Sequence, residues 1–212
     1  YRPATAAAAV GGDFYDFFEV SGGHALVIGD VSGKGIEAAA LTALVRHAAR
    51  VAARTLDDAR DVLAEVNRAI HFAAMGDQFC TVAYAMLCER DGPGVDLRIT
   101  CAGHPSAVIV RADGSVERAG SPGSLLGAFE TLVLERDEMV LMPGDAVVLY
   151  TDGLVEARTD RRIVDDAEVE AAAARAAGLP AADMLARVES DLLAAGGAPQ
   201  DDVAIVVARL TA

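Results

Sequence analysis

The stretch FCTVAYAMLCERDGPGVDLRITC, Phe79–Cys101, reads as two apolar, β-branched runs joined by a DGPG turn. The same texture continues downstream. SAVIV (106–110), TLVLE (131–135) and AVVLY (146–150) are separated by the turn sequences ADGS (112–115), SPGS (121–124) and MPGD (142–145). Short runs broken by Gly and Pro in this way predict the hairpins of an antiparallel sheet. Upstream, Leu41, Leu44, Val45, Ala48, Val51 and Ala52 follow the i, i+3, i+4 spacing of an amphipathic helix over Ile36–Arg54. Thr55 and Asp58 have the spacing of a capping box opening a second helix, whose apolar face carries Val62, Val66, Ala69, Ile70 and Ala73. Two strand-like pieces occupy Gly11–Asp30. Asp166–Ala195 is again helical in composition, broken at Gly178-Leu179-Pro180, and a last strand runs over Val203–Leu210. The order strand, helices, many strands, helices, strand predicts an α+β fold, an antiparallel β-sandwich flanked by helices. No low-complexity linker or internal repeat divides it, so residues 1–212 are expected to form a single domain.

Composition excludes several classes of function. The 212 residues are 53% apolar, enough for a sizeable core. With 18 Lys+Arg against 32 Asp+Glu, the formal net charge is −14, which opposes binding to nucleic acid because such affinity comes from cationic neutralisation of phosphates. Cys80, Cys88 and Cys101 form no CxxC pair and read as buried thiols of a reducing, cytoplasmic environment. No apolar run approaches the roughly 20 residues of a membrane helix, and no signal-peptide pattern is present. The sequence starts at Tyr1 without Met, as expected of a domain excised from a longer multidomain signalling protein.

Four aspartates stand out by position. Asp13 ends GGD, Asp30 lies in GDVSGKG, Asp152 in YTDGLVEA and Asp201 in QDDV. Asp30 ends one apolar run, Asp152 follows another, and Asp201 precedes a third. Glycine beside a carboxylate lets the backbone turn sharply and approach an ion. Mg²⁺ and Mn²⁺ take oxygen ligands, and a two-metal centre needs several carboxylates around ions about 3.5–4 Å apart. Any one of these residues alone reads as a turn aspartate; the set, delivered by distant strand ends, points to a metal site.

GGDFYD (11–16), GDVSGKG (29–35) with its Ala-rich helix, AGHP (102–105), TDGLVEA (151–157) and QDDVAIVV (200–207) together resemble the metal-dependent type 2C serine/threonine protein phosphatases, closest to their bacterial RsbU and SpoIIE-like branch. The resemblance covers essentially the whole chain, with the motifs in the family's order. It implies an αββα sandwich, two Mn²⁺ or Mg²⁺ ions and hydrolysis of phosphoserine or phosphothreonine by an activated water. Carried over by motif, Asp30 bridges both metals, the Val31 carbonyl is a further ligand, and Asp152 and Asp201 complete the second metal's shell. Asp13 faces the metals directly or through water, and Asp202 is the alternative to Asp201. Asp30, Asp152 and Asp13 are thus the candidate catalytic residues.

By the same resemblance, the substrate is a phosphorylated anti-sigma-factor antagonist of the STAS fold, linking the chain to sigma factor regulation. The helices after Gly35 become candidate regulatory and homodimer contacts. A catalytically silent phosphoprotein-binding module of the same fold is the alternative, against which the retained aspartates weigh.

The departures are specific. Ser32 stands where many eukaryotic members carry a histidine that protonates the leaving oxygen, so the general acid is unassigned. The eukaryotic phosphate-binding arginine has no clear counterpart. The Gly29–Gly35 turn lacks the P-loop spacing, and Phe14 replaces the acidic residue of a GGDEF signature. His104 in AGHP reads as a structural hydrogen-bonding residue, Lys34 as a solvated turn lysine that is alternatively a phosphate attractor, and Glu156 as outside the primary site.

Overall fold

The computed structural model describes residues 1, 11–73, 77–154, 158–159, 162–196 and 202–211, with side chains at 158–159, 162–163 and 193–196 left aside. The predicted sandwich is present. One sheet has the order β1-β2-β3-β4-β7 and the other β11-β8-β5-β6, every pairing within them antiparallel. The first sheet comprises β1 (Phe14–Val20), β2 (Gly23–Val31), β3 (Cys80–Cys88), β4 (Val95–Ala102) and β7 (Asp137–Leu141). The second comprises β5 (Ala107–Val110), β6 (Val116–Ala119), β8 (Ala146–Tyr150) and β11 (Ile205–Arg209). A two-residue pair, β9 (Arg158–Thr159) and β10 (Arg162–Ile163), lies apart from both sheets.

Helices cover the two outer faces. Helix α1 (Ile36–Ala52) and α2 (Ala59–Ala73) bury Leu41, Val45, Val62, Leu63 and Val66 against Val27, Val82 and Tyr84 of the first sheet. Helices α3 (Asp166–Arg175) and α4 (Ala181–Gly196) bury Val169, Met184 and Val188 against Val108, Val148 and Tyr150 of the second. Between the sheets, Ile28, Ala85, Leu97, Ile99, Ile109, Val147 and Leu149 form the central core. The alternation of β2 and β8 thus feeds two hydrophobic layers each, which is why their sequences read as continuous apolar runs.

Ion pairs hold the helices in register. Arg50 of α1 reaches back to the buried Asp16 of β1 with Nε and Nη2 at 2.6 and 2.5 Å from its carboxylate, while its guanidinium carbon lies 4.8 Å over the Phe18 ring. On the opposite face, Arg118 of β6 binds Glu170 of α3 at 2.6 Å and the Tyr150 hydroxyl at 2.9 Å. Helix α3 opens with a capping box in which Asp165 accepts from Glu168 N–H and Glu168 accepts from Asp165 N–H.

Two local expectations are corrected. Thr55 does not cap α2; its hydroxyl donates to Ala52 O at 3.4 Å, while the Asp58 carboxylate accepts the Arg60 N–H at 2.9 Å and the helix begins at Ala59. TLVLE is not a strand. Leu132 and Leu134 instead turn onto the core under α1 and α2, Val133 is exposed and bonds Ser124, and the neighbouring strand is the less apolar Asp137–Leu141. Alternating apolar residues there mark an extended loop anchored at two points, a pattern shared with a half-buried strand.

Candidate metal centre

All the candidate aspartates that the structure describes lie at one end of the sandwich. β2 runs toward that end and places Asp30 at its penultimate position, paired with Thr81 of β3. Asp13 immediately precedes β1, which runs the opposite way. β8 ends at Tyr150, and Asp152 opens a one-turn 3₁₀ helix, Asp152–Leu154. Asp202 leads into β11, antiparallel to β8. Two sheets therefore contribute, and neither would hold the set alone.

Glycines explain how the backbones come this close. A Cβ on Gly11 would collide with the Asp202 carboxylate, one on Gly12 would collide with the Val31 carbonyl and lie 2.5 Å from Asp30 Oδ1, and one on Gly153 would collide with the Asp202 carbonyl. The GGD and TDG motifs thus contain glycine because β1's lead and the turn after β8 run directly over the acidic groups. Val31 N–H donates to Gly12 O at 3.2 Å, closing that crossing. Gly33 and Gly35, at φ 93° and 85°, bend the chain from β2 into α1.

Thr151 joins the two sheets at the site. It is fully buried; its hydroxyl donates to Asp13 Oδ2 at 2.7 Å and accepts the Ala204 N–H at 2.9 Å, and its own N–H donates to Ala204 O at 3.0 Å. This residue was not singled out in the sequence, where it is only the Thr preceding Asp152. Tyr1 Oη donates to Asp202 Oδ2 at 3.2 Å.

The electrostatics are unfavourable as the chain stands. Burial pushes Asp13 from 3.8 up to about 8, the Thr151 hydroxyl pulls it down, and the charges of Asp30, Asp202 and Asp152 add to the rise. A divalent cation would relieve this repulsion. Three observations fit such an ion: an all-oxygen set of hard donors, the Val31 carbonyl and Asp30 Oδ1 facing the same small space over Gly12, and Asp13 raised by burial and further by its acidic neighbours. Among the described residues no three acidic, His or Cys side chains form a ready ligand cluster. Asp201 and Glu156 lie outside the described residues; Asp202, the alternative to Asp201, is the one seen beside Gly11.

The remaining candidates separate cleanly. His104 is 1% exposed, its Nδ1 lies 2.8 Å from Thr81 Oγ1, and burial pushes its imidazole down to about 3. Burial therefore favours its neutral form. Ser32 is tied to Phe79: the Ser32 hydroxyl accepts the Phe79 N–H at 3.0 Å and Ser32 N–H donates to Phe79 O at 2.9 Å. The three cysteines are buried and unbridged, with burial raising Cys80 and Cys101 to about 12.

The sequence profile of the Stage II sporulation protein E family (SpoIIE) matches residues 21–211. The chain belongs to the SpoIIE family. A relative, phosphoserine phosphatase RsbU of Bacillus subtilis (strain 168), is 26% identical over 160 residues, 75% of this chain and 47% of RsbU. The chain therefore spans less than half of that protein. The solved RsbU and RsbW domains of Rv1364c from Mycobacterium tuberculosis superpose with a TM-score of 0.80 at 28% identity, over 99% of this chain and 58% of that one. The SiaA-PP2C domain of Pseudomonas aeruginosa shares the fold with a TM-score of 0.83 at 22% identity, over 99% and 83% of the two chains. The SpoIIE-family sandwich is thus the PP2C fold. Among the described residues no helix is long and apolar enough to cross a membrane.

Proposed function

We propose that this chain is the catalytic domain of a metal-dependent protein phosphatase acting on phosphoserine or phosphothreonine. The observation that carries the reading is that Asp30, Asp152 and Asp202, delivered by both sheets to one end of a SpoIIE-family domain, lie near enough to Asp13 for their charges to act on it. Asp30, the Val31 carbonyl, Asp152 and Asp13 would hold two Mn²⁺ or Mg²⁺ ions, joined by Asp201 with Asp202 as the alternative. When bound, such ions polarise phosphoryl oxygens and make water nucleophilic near neutral pH.

The chain's own groups do the rest. Thr151 fixes the Asp13 carboxylate between the sheets, and Gly12 leaves the space in which Asp30 and Val31 present oxygen. Ser32, engaged with the Phe79 backbone, is no substitute for a protonated histidine, so the proton for the leaving oxygen comes from water. The serine as substrate residue is supported by the name of RsbU, a phosphoserine phosphatase. A phosphorylated STAS-type anti-sigma-factor antagonist is the partner we propose, in line with the pairing of RsbU and RsbW domains in Rv1364c. On this reading the chain is one domain of a longer cytoplasmic signalling protein, and α1 and α2 are its candidate dimer contacts.

The test is hydrolysis of p-nitrophenyl phosphate with manganese, with magnesium and with chelator, alongside Asp30→Ala and Asp152→Asn. Manganese-dependent turnover lost in both variants is the expected result. Turnover unaffected by chelator or by either variant would sink the site, and a phosphorylated STAS protein left intact by an active enzyme would remove that substrate.

A further inference from the structure

Of the four histidines, His24, His47 and His71 are exposed and His104 is buried, yet nothing proposed for the acidic end uses it. His104 lies in the segment 103–106, which carries the chain from β4 of the first sheet to β5 of the second. That crossover is anchored on both sides. Gly103 bridges Val82 of β3, Cys101 Sγ donates to Pro105 O at 3.8 Å, and the Ser106 hydroxyl donates to Gly120 O at 2.7 Å.

The His104 ring meets one polar group from each sheet. Its Nδ1 is 2.8 Å from Thr81 Oγ1 of β3 in the first sheet. From the second sheet the Tyr150 carbonyl, at the end of β8, acts on the ring against the effect of burial, although among the described residues Nε2 makes no hydrogen bond of ordinary geometry. Both contacts adjoin the acidic set. Thr81 is the register partner of Asp30, and residues directly opposite on antiparallel strands project from the same face with Cβ atoms about 4.5–5.5 Å apart. Alternation puts that pair on the face between the sheets, since the next pair on the same side, Ile28 and Ala83, belongs to the central core. Tyr150 precedes Thr151, which binds Asp13, and stands two residues before Asp152.

Carboxylates delivered by two sheets can share ions only if the spacing of the sheets is fixed where they meet. A neutral imidazole suits that task, because it offers one donor and one acceptor on a rigid ring and so takes one partner from each side. We infer that His104 is a positioning residue for the metal centre: lodged between Thr81 and the Tyr150 backbone, it sets how far the Asp30 edge of the first sheet stands from the Asp152 turn of the second. This rests on the metal-centre part of the phosphatase reading. Thr151 is the corresponding tie beside Asp13, so two cross-sheet links hold the acidic set, and neither carries a charge that would compete for the cation.

The test is Mn²⁺ affinity by electron paramagnetic resonance for wild type, His104→Phe, Thr81→Val, Thr81→Ser and the His104→Phe/Thr81→Val double variant, with urea midpoints in chelator alongside. His104→Phe keeps a ring and removes both nitrogens, while Thr81→Val keeps the shape and removes the hydroxyl. Affinity is expected to fall about tenfold in each of these, the low end of what outer-shell partners contribute, and to be retained in Thr81→Ser. The double variant should lose no more than either single one, because all three break one link. Wild-type affinity in His104→Phe and Thr81→Val, whatever their urea midpoints, would reduce His104 to a core residue and overturn the inference. Additive losses would show that His104 does not act through Thr81 and equally overturn it. The Thr81 pair decides the matter if His104→Phe does not fold, since equal affinity in the valine and serine variants would also overturn it. p-Nitrophenyl phosphate left intact by manganese-loaded wild type would sink the phosphatase reading and leave these affinities standing, whereas wild type that binds no manganese would remove the metal centre and this inference with it.

Discussion

Asp13 and Asp145 stand at opposite ends of the sandwich in the same local setting, each following a glycine and leading into a strand. Their surroundings differ in kind. Asp145 accepts the Met142 N–H at 3.0 Å, the Ala112 N–H at 2.9 Å and the Arg111 Nη1 at 2.7 Å. Burial alone would raise it, but these donors hold it below the usual carboxylate range. Asp13 is pushed up to about 8, first by burial and then by the charges of Asp30, Asp202 and Asp152, against the pull of the Thr151 hydroxyl. One end of the molecule neutralises its carboxylate from within the chain, and the other leaves a negative set suited to a cation from outside. The difference separates an aspartate satisfied within the chain from one that is not, and each residue gives a way to break it.

The largest effect is expected at the acidic end. Asp30→Asn keeps the size of the side chain and removes one charge, and phosphatase turnover should fall about a thousandfold, the several kcal/mol that electrostatic stabilisation by a metal supplies. Urea stability in chelator should not fall with it. At the opposite end the outcome reverses: Asp145→Ala removes the acceptor of the Met142 and Ala112 N–H groups and one acceptor of the Arg111 guanidinium, which keeps Glu117 and the Val140 carbonyl. We expect a loss of about 2–3 kcal/mol in urea unfolding, below the full cost of a buried pair because Arg111 is partly exposed, with kcat unchanged. An Asp145→Ala enzyme as inactive as Asp30→Asn would erase the distinction between the two ends.

The same pair shows what the sequence could and could not convey. The sandwich was legible because β2, β3, β4, β5 and β8 bury both faces and their turns carry Gly and Pro at fixed places. TLVLE misled because alternation does not distinguish an anchored loop from a strand. A Gly-Asp beside a strand marks Asp13 and Asp30, which lie at one end of the sandwich, yet Gly144-Asp145 at the other end carries the identical signal. What tells them apart is Arg111, 34 residues away in sequence and brought close only by the β5–β8 pairing. Thr151 was overlooked for a similar reason, since nothing local reveals that its hydroxyl faces Asp13 across 138 residues. Gly11 and Gly12 were readable as turn residues, but neither needs a positive φ; they are glycines because of what lies against them.

Thr151 gives an intermediate effect that sharpens the contrast. Thr151→Val keeps the shape but removes the donor to Asp13 and the acceptor for Ala204 N–H, while Thr151→Ser retains both. Manganese affinity measured by electron paramagnetic resonance should weaken about tenfold in the valine variant and recover in the serine variant. Equal losses in both would mean that the methyl group, through packing alone, sets the position.

The smallest effect, and the most direct on the comparison, is in the sign of the pH dependence without metal. For Asp13 the folded-state pKa lies above the unfolded value, so its contribution is fully present below about pH 4 and is lost as pH rises toward about 8. For Asp145 the folded value lies below the unfolded one, so its contribution is present above about pH 4 and disappears as pH falls through the folded value. In chelator, Asp13→Asn, whose amide oxygen still accepts from Thr151, should therefore be more stable than wild type at pH 8 by at least about 1 kcal/mol, the difference vanishing near pH 4. Asp145→Asn should be less stable than wild type at pH 8, with its deficit shrinking in acid. Urea midpoints for both variants across that range decide the matter, because parallel curves would mean that the two carboxylates sit in equivalent fields. Opposite slopes would show that burial, with the charges of Asp30, Asp202 and Asp152, disfavours the ionised Asp13, while the donors around Asp145 favour its ionised form.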